Sequence, residues 1–300
     1  MSNTFFLPTP ANFNFRIAVG GHGWYDLPPF KFDEATGTLA YVYLSRKTGK
    51  AESLTITGGE GGLAVEMASG KADREEAERL VTHVLRLDED LDDFYRSVDD
   101  DEAFEWVREI NAGRLLRSGS VYEDLVKTMC TTNCSWSLTR AMTKNLVEKL
   151  GDEAADGRRS FPSPEAMALQ PVDFYRAEIK AGYRSPYFVE LAEAVAAGQL
   201  DPEAWLVSEL PTTELRKEMK KVKGIGDYAA DNLLKLVGRY DGLALDSWLR
   251  SGFYKRHNRE KPCPDKKIER HYKKFGKWKG LAIWCDMTRD WFAEKEGNRT

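Results

Sequence analysis

The chain has 300 residues, of which 42% are hydrophobic, and a formal net charge of −4 at pH 7. Eight tryptophans indicate real hydrophobic cores, in one large domain or two to three small ones. The first thirty residues or so lack the pattern of a secretory signal, and no apolar stretch approaches roughly eighteen residues. We therefore expect a soluble intracellular protein, either cytoplasmic and nucleoid-associated or nuclear, without a membrane span.

The four cysteines are too few and too scattered for a disulfide framework. Cys130 and Cys134 share a helix face, while Cys263 and Cys285 lie far along the chain, and none has a partner at metal-ligand spacing. We expect four reduced thiols, no metal and no other cofactor.

The first seventy residues or so are strand-like and indicate an antiparallel sheet. Gly-rich turns such as Gly58–Gly62 separate the apolar runs. The predicted strands are Phe13–Val19, Leu39–Ser45, Glu52–Thr57 and Leu63–Met67. The loop Gly20–Phe30, which contains Trp24 and Tyr25, has two interpretations. Its rings either pack against the sheet or line a binding pocket.

The remainder of the chain is predicted to be mostly helical. Lys71–Leu85 forms a charged amphipathic helix, and helical periodicity dominates from Phe104 onward. The fold class is therefore α+β, with an antiparallel sheet domain followed by a two-lobed helical region. The predicted division is a sheet domain with a linker helix (1–103), a helical region (104–292) containing a hairpin (212–238) and a loop (239–250), and a tail (293–300).

Two helices joined by a tight glycine turn form the hairpin. Gly224, Ile225 and Gly226 make the turn, and apolar residues recur at helical spacing on both sides of it. A glycine backbone can approach a ligand closely, and the N-terminus of the second helix attracts an anion. The pattern predicts a phosphate anchor, although Asp227, at the expected N-cap, could compete for the same N–H groups.

Charge is unevenly distributed along the chain. Asp88–Glu105 holds ten acids and one base, whereas Leu215–Gly280 holds nineteen Lys/Arg against eight Asp/Glu. A basic region around a phosphate-binding hairpin indicates an electrostatic footprint for DNA.

Asp246 stands between an apolar run and a new helix, about twenty residues after the hairpin. Alone, it would be read as an ordinary N-cap. The hairpin, the following loop and this aspartate together resemble the helix-hairpin-helix glycosylases of base-excision repair. That resemblance implies that Asp246 is the catalytic carboxylate and that Gly224, Ile225, Gly226 and Lys223 contact DNA.

Further stretches extend the resemblance toward the 8-oxoguanine and 3-methyladenine glycosylase branch, over about residues 87–292. Thr131–Ser135 is similar to a gap-filling loop, which implies that Asn133 fills the space left by a flipped base. Gly182-Tyr183-Arg184 is similar to a motif in which Tyr183 wedges between bases and Arg184 contacts the opposite base. Trp278–Ala282 resembles the closing helix of the superfamily.

Bifunctional members of this family carry a lysine two residues after the second hairpin glycine, where this chain has Tyr228. A phenol cannot form a Schiff base, so we expect a monofunctional glycosylase, unless Lys223 or Lys235 reaches the site. The expected base pocket comprises Tyr228, Trp248, Trp24 and Tyr25.

The expected substrate is an alkylated or oxidised purine in double-stranded DNA, bound by a monomer. A cationic alkylated base would be attracted by an aromatic pocket. Two alternatives stay open, a mismatch-specific glycosylase and a non-catalytic protein that binds DNA damage. Tyrosine also occurs at the position of Tyr228 in mismatch-specific relatives, but their four closely spaced C-terminal cysteines are not matched here.

Overall fold

The computed structural model describes residues 3–70 and 72–297, with side chains described up to residue 292. A five-stranded antiparallel sheet is followed by a series of helices, which confirms the α+β class. None of the helices in this part of the chain combines the length and the apolar character that crossing a membrane requires.

The sheet has the order β1-β5-β4-β3-β2, with all neighbours antiparallel. The strands are β1 (Thr4–Pro8), β2 (Lys31–Asp33), β3 (Thr38–Leu44), β4 (Ala51–Gly59) and β5 (Gly62–Met67). Three of the four predicted strands are confirmed as β3, β4 and β5. The glycine-rich turn joins β4 to β5, and Gly61 adopts a φ of 70° there, a conformation that favours glycine.

The predicted strand Phe13–Val19 is wrong, because this segment is the helix α1 (Phe15–Gly20). The side chain of Asn14 caps the helix by accepting a hydrogen bond from the Ile17 amide at 3.4 Å. Ile17 packs into a helical core, whereas Phe15 and Val19 pack against the sheet. Both faces of the segment are thus buried, which produced an apolar pattern resembling that of a strand. Strands β1 and β2 were not predicted.

Helices account for most of the chain after the sheet. The remaining α-helices are α2 (Arg74–Leu85), α3 (Asp92–Val98), α4 (Glu105–Glu109), α5 (Val121–Thr131), α6 (Trp136–Leu150), α7 (Pro164–Ala168), α8 (Val172–Phe174), α9 (Ser185–Ala196), α10 (Thr212–Met219), α11 (Asp227–Leu236), α12 (Ser247–His257), α13 (Asp265–Tyr272) and α14 (Lys279–Gly297). The predicted helix from Lys71 begins at Arg74, after the cap Asp73, and Lys71 itself lies outside the described residues.

Three hydrophobic cores hold the elements together. One joins the sheet to α2, and a second joins helices α5 to α11. A third joins α3 and α4 to α12, α13 and α14. The predicted boundary at residue 103 falls inside this third core, so the linker region packs with the C-terminal helices. Helix α14 runs to Gly297, into the predicted tail, and residues 298–300 lie outside the described part.

Candidate active site

The predicted hairpin is formed by α10, a tight turn and α11. Gly224 has a φ of 89°, and a β-carbon there would lie 2.9 Å from the ring of Tyr187. Ile225 is buried in the helical core and anchors the turn. Gly226 is the N-cap of α11, and no atom lies within 4 Å of the position that its β-carbon would take. The turn therefore requires glycine at Gly224 for packing, whereas Gly226 leaves the helix N-terminus open to a ligand.

Asp227 is not the N-cap of α11, which corrects the prediction, because it occupies the first helical position after Gly226. Its carboxylate forms ion pairs with Lys220 at 2.6 Å and with Arg216 at 2.9 Å. The hydrogen bond from Lys220 is the main reason why the pKa of Asp227 is lowered. These two partners occupy the carboxylate, so the backbone N–H groups of the helix N-terminus are left for an anion.

Asp246 is the N-cap of α12 and accepts a hydrogen bond from the Leu249 amide at 2.7 Å. The loop before it is fixed to α14, because the Gly280 amide donates to the Tyr240 carbonyl at 2.7 Å. A β-carbon on residue 280 would overlap the carbonyl oxygen of Gly242 and lie 2.5 Å from that of Tyr240. Because Gly280 has no side chain, the start of α14 can pack against the loop that precedes Asp246.

Tyr228 lies in the first turn of α11, near Asp246. Burial is the main cause that raises the pKa of Tyr228 to about 12, the negative charge of Asp246 adds to it, and a hydrogen bond with Thr131 acts in the opposite direction. The phenol therefore stays protonated at neutral pH. The structure thus brings together the hairpin, a carboxylate and a neutral phenol.

No protein-family model and no curated protein matches the sequence, but solved structures match over nearly its whole length. A structure of MBOgg1 in complex with a low-affinity DNA ligand has a TM-score of 0.77 at 20% identity, covering 99% of this chain and 97% of that chain. The 3-methyladenine DNA glycosylase from Archaeoglobus fulgidus has a TM-score of 0.77 at 20% identity, covering 96% and 99%. The apo-form of the 8-oxoguanine glycosylase/lyase of Clostridium acetobutylicum has a TM-score of 0.75 at 18% identity, covering 96% of each chain.

The chain has the fold of the helix-hairpin-helix DNA glycosylases. The resemblance inferred from short motifs therefore extends to the whole architecture, including the N-terminal sheet. Two sets of side chains are distinguished in this glycosylase fold. The interior group comprises Trp284, His22 and Lys235, and an exposed unit comprises Asn133 and Tyr183.

The aromatic loop Gly20–Phe30 of this glycosylase fold packs its rings into the protein. Trp24 is only 1% exposed, and its indole N–H donates to Asp124 at 2.6 Å. Tyr25 packs edge-on against Phe32, with 6.3 Å between ring centroids. Both rings thus follow the first interpretation of the loop, and a role for Trp24 and Tyr25 in a base pocket stays a prediction.

Trp284 of α14 contacts both other members of the interior group, and it was not among the predicted site residues. Its indole N–H donates to the carbonyl of Gly21 at 2.7 Å, which joins α14 to the aromatic loop. The ring of His22 lies 5.4 Å away and the predicted Trp248 lies 6.0 Å away, between ring centroids. Trp248 is exposed and also contacts Trp291. The spacing of seven residues between Trp284 and Trp291, about two helical turns, was a signal that could have found this face.

Lys235, on the buried side of α11, completes the interior group. Its ammonium lies 5.0 Å from the centroid of the Trp284 ring. Burial is the main cause that lowers the pKa of Lys235 to about 8, and the carboxylates of Asp246 and Asp231 oppose this effect. Burial likewise lowers the pKa of His22 to about 3, and Lys235 makes the largest contribution among the nearby charges that add to this effect. His22 is therefore neutral at physiological pH.

Asn133 and Tyr183 lie together on the surface, and their roles in DNA binding stay predictions. The Asn133 side-chain amide donates to the Tyr183 hydroxyl at 3.3 Å, and the Thr132 hydroxyl lies at the same distance from it. Tyr183 is 52% exposed, and Asn133 has a φ of 46°, which asparagine tolerates better than most residues. The two side chains form one exposed unit, although they are fifty residues apart.

Arg184 and Lys223 are placed differently from each other. Arg184 is 3% exposed, and its guanidinium donates to the Met129 carbonyl at 3.0 Å and to the Thr132 hydroxyl at 3.1 Å. It thus supports the loop that carries Asn133, and its contact with an opposite base stays a prediction. Lys223 is exposed and pairs with Glu190 at 2.7 Å.

Much of the predicted basic surplus is neutralised within the protein. Nine of the nineteen basic residues in Leu215–Gly280 form ion pairs with acids of the described chain. Lys274 pairs with Asp101 and Lys277 with Asp93, so the acidic segment contacts the basic one directly. The net charge of the region therefore overstates the positive charge that is free to meet DNA.

Proposed function

We propose that this protein is a monofunctional DNA glycosylase. It would flip a damaged purine, alkylated or oxidised, out of duplex DNA and hydrolyse its N-glycosidic bond, leaving an abasic site. The observation that carries the proposal is the position of Asp246, which caps α12 beside Tyr228 in the first turn of the hairpin helix. The proposed phosphate anchor at the start of α11 and the carboxylate at the start of α12 would then act together on the DNA.

The role proposed for Asp246 follows from the charge that develops in the reaction. Breaking a purine N-glycosidic bond builds positive charge on the sugar, which an ionised carboxylate stabilises. One oxygen of Asp246 accepts from the Leu249 amide, which fixes the side chain in one orientation. The second oxygen is then available to orient the attacking water.

Water is the proposed nucleophile because the candidate amines near the hairpin are not suited to attack the sugar. Tyr228 replaces the lysine that forms a Schiff base in bifunctional relatives, and its phenol stays protonated. Lys223 is exposed and paired with Glu190. Lys235 lies about two helical turns after Tyr228 along α11, and a different role is argued for it below.

DNA would be held by the hairpin turn and by the exposed unit of Asn133 and Tyr183. The open space at Gly226 and the N–H groups at the start of α11 suit a phosphate. Asn133 and Tyr183 are hydrogen-bonded to each other at 3.3 Å, so one side chain positions the other for insertion into the duplex. Such insertion would fill the space that a flipped base leaves behind.

The test is a gel assay on end-labelled duplexes that carry 8-oxoguanine, hypoxanthine, uracil or an alkylated purine, with and without hot alkali. We expect strand breaks only after alkali, because a monofunctional enzyme leaves the sugar-phosphate backbone intact. Breaks without alkali would contradict the monofunctional assignment. Binding without base release from any duplex would instead favour the non-catalytic alternative.

The variant Asp246→Asn isolates the charge of the carboxylate. Asparagine caps a helix as well as aspartate does, so we expect a folded protein that binds damaged duplex but releases the base roughly 100- to 1000-fold more slowly. Asp241→Asn, a change of the same kind in the same loop, is the matched control and should keep wild-type rates. Normal turnover by the Asp246 variant would remove this residue from the mechanism.

A further inference from the structure

Two buried polar atoms that have no hydrogen-bond partner in the described part of the chain belong to side chains that lie beside the Trp284 ring. One is Nζ of Lys235 and the other is Nδ1 of His22. The two side chains are 2% and 4% exposed, respectively. They come from α11 and from the aromatic loop, so two separate elements each bring an unsatisfied polar side chain to the same ring.

Such groups are costly for a folded protein. A buried amine loses its hydration, and a buried polar atom without a partner pays a desolvation penalty that no protein contact repays. Almost all buried polar groups in proteins are hydrogen-bonded, so the exceptions call for an explanation. Lys235 and His22 are two such exceptions beside one aromatic ring, and the charge of Asp246 also acts on Lys235. A base that entered this group would supply the missing partners.

The charges in this interior group define which ligand would fit. His22 is surrounded by cations, since Lys235, Lys127 and Arg86 all act to lower its pKa. It therefore offers a neutral imidazole, which has one donor and one acceptor nitrogen. Lys235 keeps its proton at neutral pH because its pKa of about 8 lies above that pH, and an ammonium is a donor only.

The aromatic ring that could attract a cationic base is already in contact with a cation. The Lys235 ammonium lies 5.0 Å from the centroid of Trp284, within the distance of a cation–π interaction. A positively charged alkylated purine that stacked on Trp284 would meet this ammonium at close range. Repulsion between two such charges, at an effective dielectric constant of about 20, would weaken binding by on the order of a hundredfold.

We propose that Lys235 and His22 form the recognition site for the edge of the flipped purine, and that they select a neutral, carbonyl-bearing base over a cationic alkylated one. This inference rests on the proposed glycosylase function and narrows its substrate class. The purine carbonyl oxygen accepts from the Lys235 ammonium, and the His22 imidazole hydrogen-bonds to a neighbouring ring nitrogen. Lys235 here binds the base and forms no covalent bond.

Two matched duplexes test this proposal, each with a single modified guanine opposite cytosine in the same sequence. One carries 8-oxoguanine, which is neutral, and the other carries N7-methylguanine, which is cationic. Single-turnover release rates are each divided by the uncatalysed rate of the same duplex, because a cationic base leaves more readily on its own. For the wild-type protein we expect the larger acceleration with 8-oxoguanine.

The variant Lys235→Met removes the donor and the charge while it keeps an unbranched chain of similar length. We expect the acceleration with 8-oxoguanine to fall about a hundredfold, and that with N7-methylguanine to stay the same or rise. Lys235→Gln, which keeps an N–H donor without the charge, should recover part of the loss with 8-oxoguanine. His22→Phe should show a smaller loss in the same direction. An equal fall with both bases would reduce Lys235 to a structural role and overturn the proposal.

Binding provides a readout that is independent of catalysis. In an Asp246→Asn background, fluorescence anisotropy with the same two duplexes should show that Lys235→Met weakens binding to 8-oxoguanine only. Borohydride trapping of a covalent complex that depends on Lys235 would overturn both the recognition role and the monofunctional mechanism. Base release with no preference between the duplexes would overturn this inference alone, whereas no release from any duplex, including hypoxanthine and uracil, would overturn the proposed function as well.

Discussion

The lysines of the hairpin surface and the lysine of the interior group occupy opposite environments. Lys220 and Lys223 are exposed and lie within 2.6 Å and 2.7 Å of the carboxylates of Asp227 and Glu190. Lys235 is buried, and its ammonium faces an indole ring in place of a carboxylate. An exposed pair adds at most about 1 kcal/mol to stability, whereas a buried ammonium without a hydrogen bond reduces stability.

Under the proposed function, this difference separates cations that would bind DNA in general from one that would act on a particular base. A surface lysine can exchange a carboxylate for a DNA phosphate at little cost, so its contribution is nonspecific and screened by salt. An interior lysine cannot make that exchange, because only a group that enters the protein can reach it. The surface cations therefore suit DNA binding in general, and the interior cation suits discrimination among bases.

The largest effect is expected from adding a side chain at Gly280, where the start of α14 packs closely against the loop that precedes Asp246. Gly280→Ala would place a β-carbon against the carbonyls of Gly242 and Tyr240. We expect a loss of about 1–3 kcal/mol in the free energy of unfolding, together with lower base release, because the loop that carries Asp246 must shift. Thermal unfolding and the gel assay measure the two effects.

Gly59→Ala is the matched control for that change. A β-carbon on residue 59 would have its nearest neighbour, the Gly62 carbonyl oxygen, at 3.8 Å, which is an ordinary contact. Unfolding temperatures that fall equally in both variants would show that the contact between Gly280 and the loop has no special importance.

A stabilising effect of smaller size is expected for Lys235→Met. Removing the buried charge should raise the free energy of unfolding by about 1–2 kcal/mol near neutral pH, while the release of 8-oxoguanine falls. Unfolding temperature and activity would then move in opposite directions, as expected for a residue kept for function at the expense of stability. A destabilised variant would show that the ammonium contributes to the fold.

The pH dependence of this difference has a defined sign. The pKa of Lys235 is lowered from 10.5 in the unfolded chain to about 8 in the folded protein, so between these values the unfolded chain binds more protons. Stability of the wild-type protein should therefore rise with pH across this window. The advantage of Lys235→Met over wild type should shrink between about pH 8 and 10.5, when both are unfolded in parallel buffers. A constant difference over this range would contradict the pKa assignment.

The smallest effect is expected at the surface. Lys223→Ala should change the free energy of unfolding by less than about 0.5 kcal/mol. It should weaken binding to damaged and undamaged duplexes alike, and reduce the slope of log K against log salt by about one. Loss of discrimination between bases in this variant would contradict the division between surface and interior cations.

The features predicted correctly from the sequence have local causes. The glycine turn of the hairpin follows from backbone freedom at Gly224 and the packing of Ile225, which nearby residues determine. Strands β3 to β5 follow from apolar runs separated by glycine turns. Asp246 stays a predicted catalytic residue, which could be singled out because its distance from the hairpin is a property of the chain itself.

The errors and omissions have non-local causes. Phe13–Val19 was read as a strand because its two faces pack against different cores, which no short pattern records. Asp227 was expected to be the N-cap, but Gly226 is the N-cap. The carboxylate of Asp227 pairs with Arg216 and Lys220 instead, and these contacts depend on how α10 packs against α11. The sequence also does not record that contacts with the loop after α5 bury Arg184.

The sequence by itself determined the fold class, the hairpin and the position of the candidate carboxylate, since local backbone chemistry and spacing specify them. Only the tertiary structure decided what surrounds that carboxylate. The bond from Trp284 to Gly21 spans 263 positions of the chain, and Lys235 joins the same group from a third element. Burial and the loss of hydration, which give His22 and Lys235 their unusual proton affinities, arise only when these distant segments pack together.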